Sequence, residues 1–521
     1  MKKYLFMLFI PLFVLCFTFN SYAAPTGTIR VANADFGNES FDPNDLANWG
    51  WYILDRLVTQ DATGKVVPNL AEKYEFDPKT GAWTFHIRRG IKFHNGDPLT
   101  AADVKFSIDR FGDTSISRNP WSPYISIKYN KKETKVIDDY TVQFVADHPE
   151  LQQGMVFAQV LILPKKYFES VGKEKFNKQP VGSGPWKFVS LVSKTKLILE
   201  ANTDYWGKVP AYKSLVEQMV PEQSTRIAML KVGDVDIVVP QTGIDFTRIA
   251  ELQKQGFRTV ALGLPSSYII AFQATWLPSA GPTSDIRVRQ AMSYALNRQE
   301  IAATWYHGYA KPGAQFFMHK GGNGVPPSFG WSDDLLSEPY DLAKAKKLLA
   351  EAGYPDKWSD PTIHIYGPPV QQDFLLVLIG YWQKAGIKVK MEIVDMGVYW
   401  GMLFKRPQEG DRNVGWIWPW TSPDPFNATY HSANMYTTRG VHGTSNDEKA
   451  TQMYDTYLKI TDPVASEKAW NEFQKYVKTL WVNLGIVQID PVYVAGPELG
   501  EFTGANWMSN QEALNGVQHP K

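Results

Sequence analysis

The sequence predicts an α/β protein of more than one lobe, with mixed sheets. Helix followed by strand recurs after residue 285, the pattern of layered α/β architecture. The chain has 521 residues, more than a single core usually serves. No Gly/Ser/Pro-rich linker, low-complexity segment or short repeat divides it, so the lobes are expected to join where the chain crosses between adjacent strands. The softest points are Thr275 to Thr283 and the stretch around Ile489-Asp490-Pro491.

The elements follow from periodicity. Thr28 to Ala32 alternates as a strand, and Trp83 to Arg88 does the same with Trp83, Phe85 and Ile87 on one face. Thr100 opens a helix, with Asp103 at its third position and Val104, Ile108 and Phe111 on one side. Lys196 to Glu200 reads as a short buried strand. Asp285 precedes a helix with Val288, Met292, Ala295 and Leu296 inward. Asp341 caps another, with Ala345, Leu348, Leu349 and Ala352 inward and Gly353 as its stop. Phe374 to Gly386 is a third helix, running into the alternating strand Ile387 to Ile393.

The first residues predict export. Lys2 and Lys3 precede an apolar run from Leu5 to Phe19, and Ser21-Tyr22-Ala23 supplies a signal-peptidase site before Ala24. The run is short for a bilayer span. Cys16 follows Leu15, which is not the small residue a lipoprotein site requires, so it reads as part of the removed segment. Cleavage would remove the one cysteine, excluding disulfides, thiol catalysis and cysteine ligands. It would leave 52 Lys+Arg against 53 Asp+Glu, a balance that points to no nucleic-acid partner. No Gly-x-Ser-x-Gly elbow, Walker loop or His-Glu-x-x-His occurs, and the nine His are scattered. Neither an enzyme, a cofactor nor a metal site is therefore expected.

Several stretches then share one signature. They are Pro68-Asn-Leu-Ala-Glu-Lys-Tyr74, Trp83 through Phe93-His94-Asn95-Gly96 to Val104, Pro180-Val-Gly-Ser-Gly-Pro-Trp186 and Asn202-Thr-Asp-Tyr-Trp-Gly207. Gly233-Asp-Val-Asp-Ile237, Asp285 to Asn297 and Tyr340 to Tyr354 continue it. In this order the chain resembles the extracellular solute-binding proteins of dipeptide, oligopeptide and nickel importers, family 5. The resemblance implies the two-lobed periplasmic-binding-protein fold of the peptide-binder type, with a third small subdomain. It implies a signal peptide over 1–23 and one lobe from 24–63, 178–275 and 489–521. The small subdomain then takes 64–177 and the second lobe 276–488. It also implies a periplasmic monomer that encloses a small-molecule ligand and delivers it to an inner-membrane ABC permease and ATPase. A sensing or chaperone-like binder without an importer is the alternative. His94 reads as scaffold beside a tight turn.

The ligand chemistry is sought in Gly415 to Asn427. Trp416, Trp418 and Trp420 alternate, so an extended segment turns them to one side as an indole wall; core packing is the competing reading. Pro419 points to a strand end or loop. In the resemblance, Asp424-Pro425 looks like the family's Asp-Pro or Glu-Pro at the end of this segment. In peptide binders an aspartate three residues earlier meets the ligand's amino group, and here that place holds Thr421. The departure favours a neutral, anionic or aromatic ligand, oligosaccharides included. Further candidates are Trp49 and Trp51 after Asp42-Pro43, Tyr268 before a crossing strand, Phe317 and His319 beside the Gly-rich 321–324 loop, and Arg439 near His431 and His442 as an anion holder.

Overall fold

A computed structural model describes residues 24–45, 49–60, 66–117, 131–147, 149, 153–239, 246–261, 266–314, 336–422, 428–489, 492–500, 514 and 517–519. The strands run β1 (Thr26–Asn33), β2 (Val58–Gln60), β3 (Val66–Pro68), β4 (Ala71–Asp77), β5 (Ala82–Ile87), β6 (Lys131–Asp138), β7 (Thr141–Ala146), β8 (Trp186–Val192), β9 (Lys196–Ala201) and β10 (Tyr212–Met219). They continue with β11 (Ile237–Val238), β12 (Arg258–Ala261), β13 (Ser266–Phe272), β14 (Ala310–Pro312), β15 (Ile363–Gly367), β16 (Val389–Ile393), β17 (Ile417–Ser422), β18 (Asn483–Ile489) and β19 (Val492–Ala495).

Two large mixed sheets dominate, as the α/β reading expects. One has the order β12-β19-β11-β1-β10-β9-β8 and the other β14-β18-β13-β17-β15-β16. A four-stranded antiparallel sheet, β4-β5-β7-β6, and the pair β2-β3 complete the strands. Alternation explains the small sheet: Trp83, Phe85 and Ile87 are all buried, facing the helix Ala101–Phe111. That helix opens on a capping box in which Asp103 accepts from the Thr100 backbone N–H at 2.9 Å. Asp285 and Asp341 cap their helices by accepting from Arg287 N–H and Lys344 N–H, and Gly353 ends the second at φ 79°. The residues expected inward on the Asp285 helix, Val288, Met292, Ala295 and Leu296, are fully buried.

The chain passes from the seven-stranded sheet to the six-stranded sheet between Ala261 and Ser266, earlier than the expected break at Thr275 to Thr283. It returns between Ile489 and Val492. Ala261 pairs with Val492 and Ser266 with Ile489, so the two crossings are neighbours. The direction of every other strand is then fixed. β1, β10 and β11 are parallel and turn their carboxyl ends, Asn33, Met219 and Val238, to the crossing edge. β15, β16 and β17 do the same with Gly367, Ile393 and Ser422. The two large sheets thus present parallel carboxyl ends to one another, the place where α/β sheets bind ligands. One apolar cluster joins them, holding Ala32, Val238 and Val494 together with Ile270, Ile486 and Val487.

Pro419 departs from expectation. It lies inside β17 opposite Ile270, between β13 and β15, rather than at a strand end. The recorded pairing with β15 is at Ile365–Ile417 alone, so the ladder on that side has ended before the proline is reached.

The sequence motifs fold onto one another. The Asp55 carboxylate accepts from Ser183 Oγ at 2.9 Å, Tyr205 OH at 2.8 Å and Trp206 Nε1 at 2.9 Å. His94 Nε2 donates to Gly184 O at 3.0 Å, while Nδ1 accepts from Gly182 N–H at 3.2 Å. A Cβ at Gly182 would stand 1.8 Å from the Ile53 carbonyl oxygen, which no side chain tolerates. Burial pulls the His94 imidazole down to about 4, keeping it neutral for this bridging role. His94→Ala is expected to destabilise by about 1–3 kcal/mol, because a buried N–H and C=O lose their partner. Urea denaturation checks this, and ligand affinity should not move.

Candidate functional site

The carboxyl end of β17 gathers the aromatic residues singled out in the sequence. Trp418 and Trp420 share a face, as alternation requires, with Ile269 and Ala271 of β13 beside them. Other elements cover that face. Trp418 is fully buried and Trp420 is 8 % exposed, among Tyr399, Leu403, Met435, Tyr436 and Trp470. The expected open wall of three indoles is therefore a packed layer. Trp416, just before the strand, packs at the edge of the same cluster and against two further side chains. His364 stacks on it at 4.8 Å and 12°, and the Arg412 guanidinium lies 5.1 Å from its ring centre. Glu392 ties both partners in place, accepting from Arg412 at 2.8 Å and lying 3.3 Å from His364 Nδ1.

The open aromatic surface lies one element away. The helix Met396–Leu403 follows β16 and starts on Asp395, whose carboxylate accepts from Gly397 N–H at 2.7 Å. Trp400 is 43 % exposed and Phe404 is 40 % exposed, stacked at 5.6 Å and 21°. Trp420 meets Trp400 edge-on at 5.6 Å and 87° and so backs the shelf. Met396 and Val398 are exposed on the same short helix. Trp400 and Phe404 do not stand among the candidates read from the sequence. The signal was available: Met396 to Phe404 contains no polar side chain except the Tyr399 hydroxyl, so one side had to show apolar groups to solvent.

Behind the shelf, His442 is fully buried, 5.2 Å from the Phe404 ring and 5.5 Å from Trp420. Burial pulls its imidazole down to about 4 and pulls that of His431 well below the usual range. Both rings are neutral at physiological pH.

The other predicted residues fall as follows. Tyr268 is buried at the crossing edge, donating to Gln371 Oε1 at 3.0 Å and meeting Phe374 edge-on at 4.7 Å. Thr421 stands opposite Tyr268 at the end of β17, on the face away from Trp420, and its Oγ1 is buried with no hydrogen-bond partner among the described residues. Trp49 is 1 % exposed in the core of the first sheet, against Phe36 and Phe41. Trp51 carries the Arg56 guanidinium 4.2 Å above its ring. Packing thus accounts for both, away from β17. Arg439 is bound to the carboxylate of Asp455 through both terminal nitrogens rather than holding a free anion site. Phe317 and His319 lie outside the described residues. Among the described residues no group of three or more His, Cys, Asp or Glu is placed to hold a metal ion, and no helix is long and apolar enough to cross a membrane.

Comparison with known proteins gives a consistent result. The family model "Bacterial extracellular solute-binding proteins, family 5 Middle" matches residues 65–440. The dipeptide-binding protein of Escherichia coli (strain K12) is 30 % identical over 437 residues, covering 76 % of this chain and 77 % of that protein. The periplasmic binding protein DppA from Helicobacter pylori, solved with the peptide STSA, superposes with a TM-score of 0.78 at 22 % identity, covering 95 % of this chain and 98 % of that one. NikA from Brucella suis, solved with Fe(III)-EDTA, gives 0.80 at 21 % identity, covering 95 % and 100 %. At these identities the two structures establish the shared fold.

Proposed function

Because the chain belongs to the bacterial extracellular solute-binding proteins, family 5, whose members are substrate-binding components of ABC importers, we propose that it captures a ring-bearing solute between its two large sheets. It works in the periplasm as a monomer and hands the solute to an inner-membrane permease and its ATPase. The first lobe carries the seven-stranded sheet and the second the six-stranded sheet, with the four-stranded sheet as the small subdomain. The lobes close about the two crossings, one between Ala261 and Ser266 and one between Ile489 and Val492.

One observation carries the choice of ligand. Trp400 and Phe404 form a half-exposed stacked pair on the helix that starts at the carboxyl end of β16, where the sheets face each other. Flat apolar rings stack on such a surface. The relatives named above bind a dipeptide, a peptide and a metal chelate, so the fold is compatible with many ligands and the shelf selects among them.

Native mass spectrometry of protein purified from its own host tests this, since a tight binder carries its ligand along. A bound ring-bearing solute is expected. Trp400→Ala and Phe404→Ala should each weaken its binding by about 1–3 kcal/mol, or roughly ten- to hundredfold. Unchanged affinity in both variants would remove the shelf from the site.

A further inference from the structure

Three polar atoms behind the aromatic shelf lack hydrogen-bond partners among the described residues. They are Trp418 Nε1, Trp420 Nε1 and His442 Nε2, all shielded from solvent. The rings that carry them touch one another. Trp418 and Trp420 are 5.9 Å apart, Trp418 and His442 5.7 Å, and Trp420 and His442 5.5 Å. Buried polar groups are almost always satisfied, and each one left bare costs about 1–3 kcal/mol. Three in one cluster of touching rings call for an occupant.

Their chemistry defines it. His442 Nδ1 lies 3.0 Å from the Leu403 carbonyl oxygen, which can only accept. The proton therefore sits on Nδ1, and Nε2 is a bare acceptor. The neutral imidazole is consistent with this assignment. The two indole N–H groups are donors only. These three atoms offer two donors and one acceptor, with the His431 ring packed on Trp420 at 5.3 Å and on His442 at 6.2 Å. A hydroxyl group or a water molecule, with two lone pairs and at least one proton, is the complement. A carboxylate would set its charge against the Nε2 lone pair, and an ammonium would set its protons against two indole N–H groups.

We propose that this aromatic box is a subsite for a neutral hydroxyl group of the ligand, filled by water when no ligand is bound. Phe404 is the door. It is exposed, and it packs on both His442 and Trp420. The proposal rests on the reading of Trp400 and Phe404 as the ligand shelf, and it adds that the stacked ring carries or adjoins a hydroxyl.

Phenol, toluene, benzoate and benzylammonium serve as probes in ligand-observed NMR with the unsubstituted protein. Phenol should bind about tenfold more tightly than toluene, the worth of one or two neutral hydrogen bonds, and the two charged probes more weakly than phenol. Trp420→Phe, which keeps a ring and loses the donor, should reduce the phenol preference to about threefold. A crystal structure of the ligand-free protein should show a water bonded to at least two of the three atoms. Phenol and toluene binding alike, a charged probe binding as well as phenol, or a box closed by the protein's own polar atoms would each overturn the subsite. These outcomes leave the capture of a ring-bearing solute standing. That reading fails separately, if Trp400 and Phe404 prove indifferent to the natural ligand.

Discussion

Asp55→Ala is expected to lower stability by about 3–5 kcal/mol, read as a shift of the denaturant midpoint. Asp55 is 4 % exposed, and its carboxylate is the shared acceptor for Ser183, Tyr205 and Trp206. Alanine removes the acceptor that Ser183, Tyr205 and Trp206 share at a buried position, and losses of this size come from such broken networks. Asp55→Asn behaves differently, and pH separates the two. Burial raises the Asp55 carboxyl from 3.8 to about 6, against the lowering effect of its three donors. Burial likewise raises Glu217 from 4.5 to about 7. A raised carboxyl favours the folded state fully below its unfolded value and loses that contribution as pH rises through the folded value. For Asp55 the window runs from pH 3.8 to about 6, and the amount is about 3 kcal/mol. The stability difference between Asp55→Asn and the unsubstituted protein should therefore change by that amount between pH 4 and pH 7, in favour of the variant at the higher pH. A difference that stays constant across the range would contradict the raised titration of the buried carboxyl.

Ordinary dipeptides are expected to bind at least two orders of magnitude more weakly than they would with an aspartate at position 421. Thr421 stands at the carboxyl end of β17 on the crossing edge, at the place where the resemblance to peptide binders implies the carboxylate that meets a peptide's ammonium. A hydroxyl supplies no charge to a desolvated ammonium, and an unpaired charge in a closed cleft costs several kcal/mol. Thr421→Asp should recover about two orders of magnitude. Calorimetry with a dipeptide panel is the measurement, and micromolar binding by the unsubstituted protein would show that another acid takes the role.

Much of the scaffold was legible because its signals are local. The Thr100 capping box, the Asp285 and Asp341 caps and the inward Trp83, Phe85 and Ile87 each depend on residues within a few positions of one another. The site was less legible for a physical reason. Alternation told which of Trp416, Trp418 and Trp420 could share a side, but not what would cover it. The cover includes Met435, Tyr436 and Trp470, from helices that lie beyond β17 in the chain. Trp416 packs against the same cluster from its edge, with His364 and Arg412 on its ring, contacts that no spacing rule encodes. The Asp55 network joins three stretches of chain, and Asp55 itself has no neighbours in sequence that mark it.

β19 lies inside the seven-stranded sheet, between β12 and β11, although it is the last strand among the described residues. During synthesis, β11 and β12 wait unpaired on this side through more than 200 residues, while the whole second sheet is made between them and their partner. The first sheet therefore closes only after the second has its strands, and its final step is a long-range insertion rather than a local hairpin. Nascent chains ending before Val492 expose two bare strand edges, the kind of surface that chaperones shield and that aggregates when they do not. The same arrangement makes the order of maturation simple: the molecule gains its full first lobe and its second crossing in the same event.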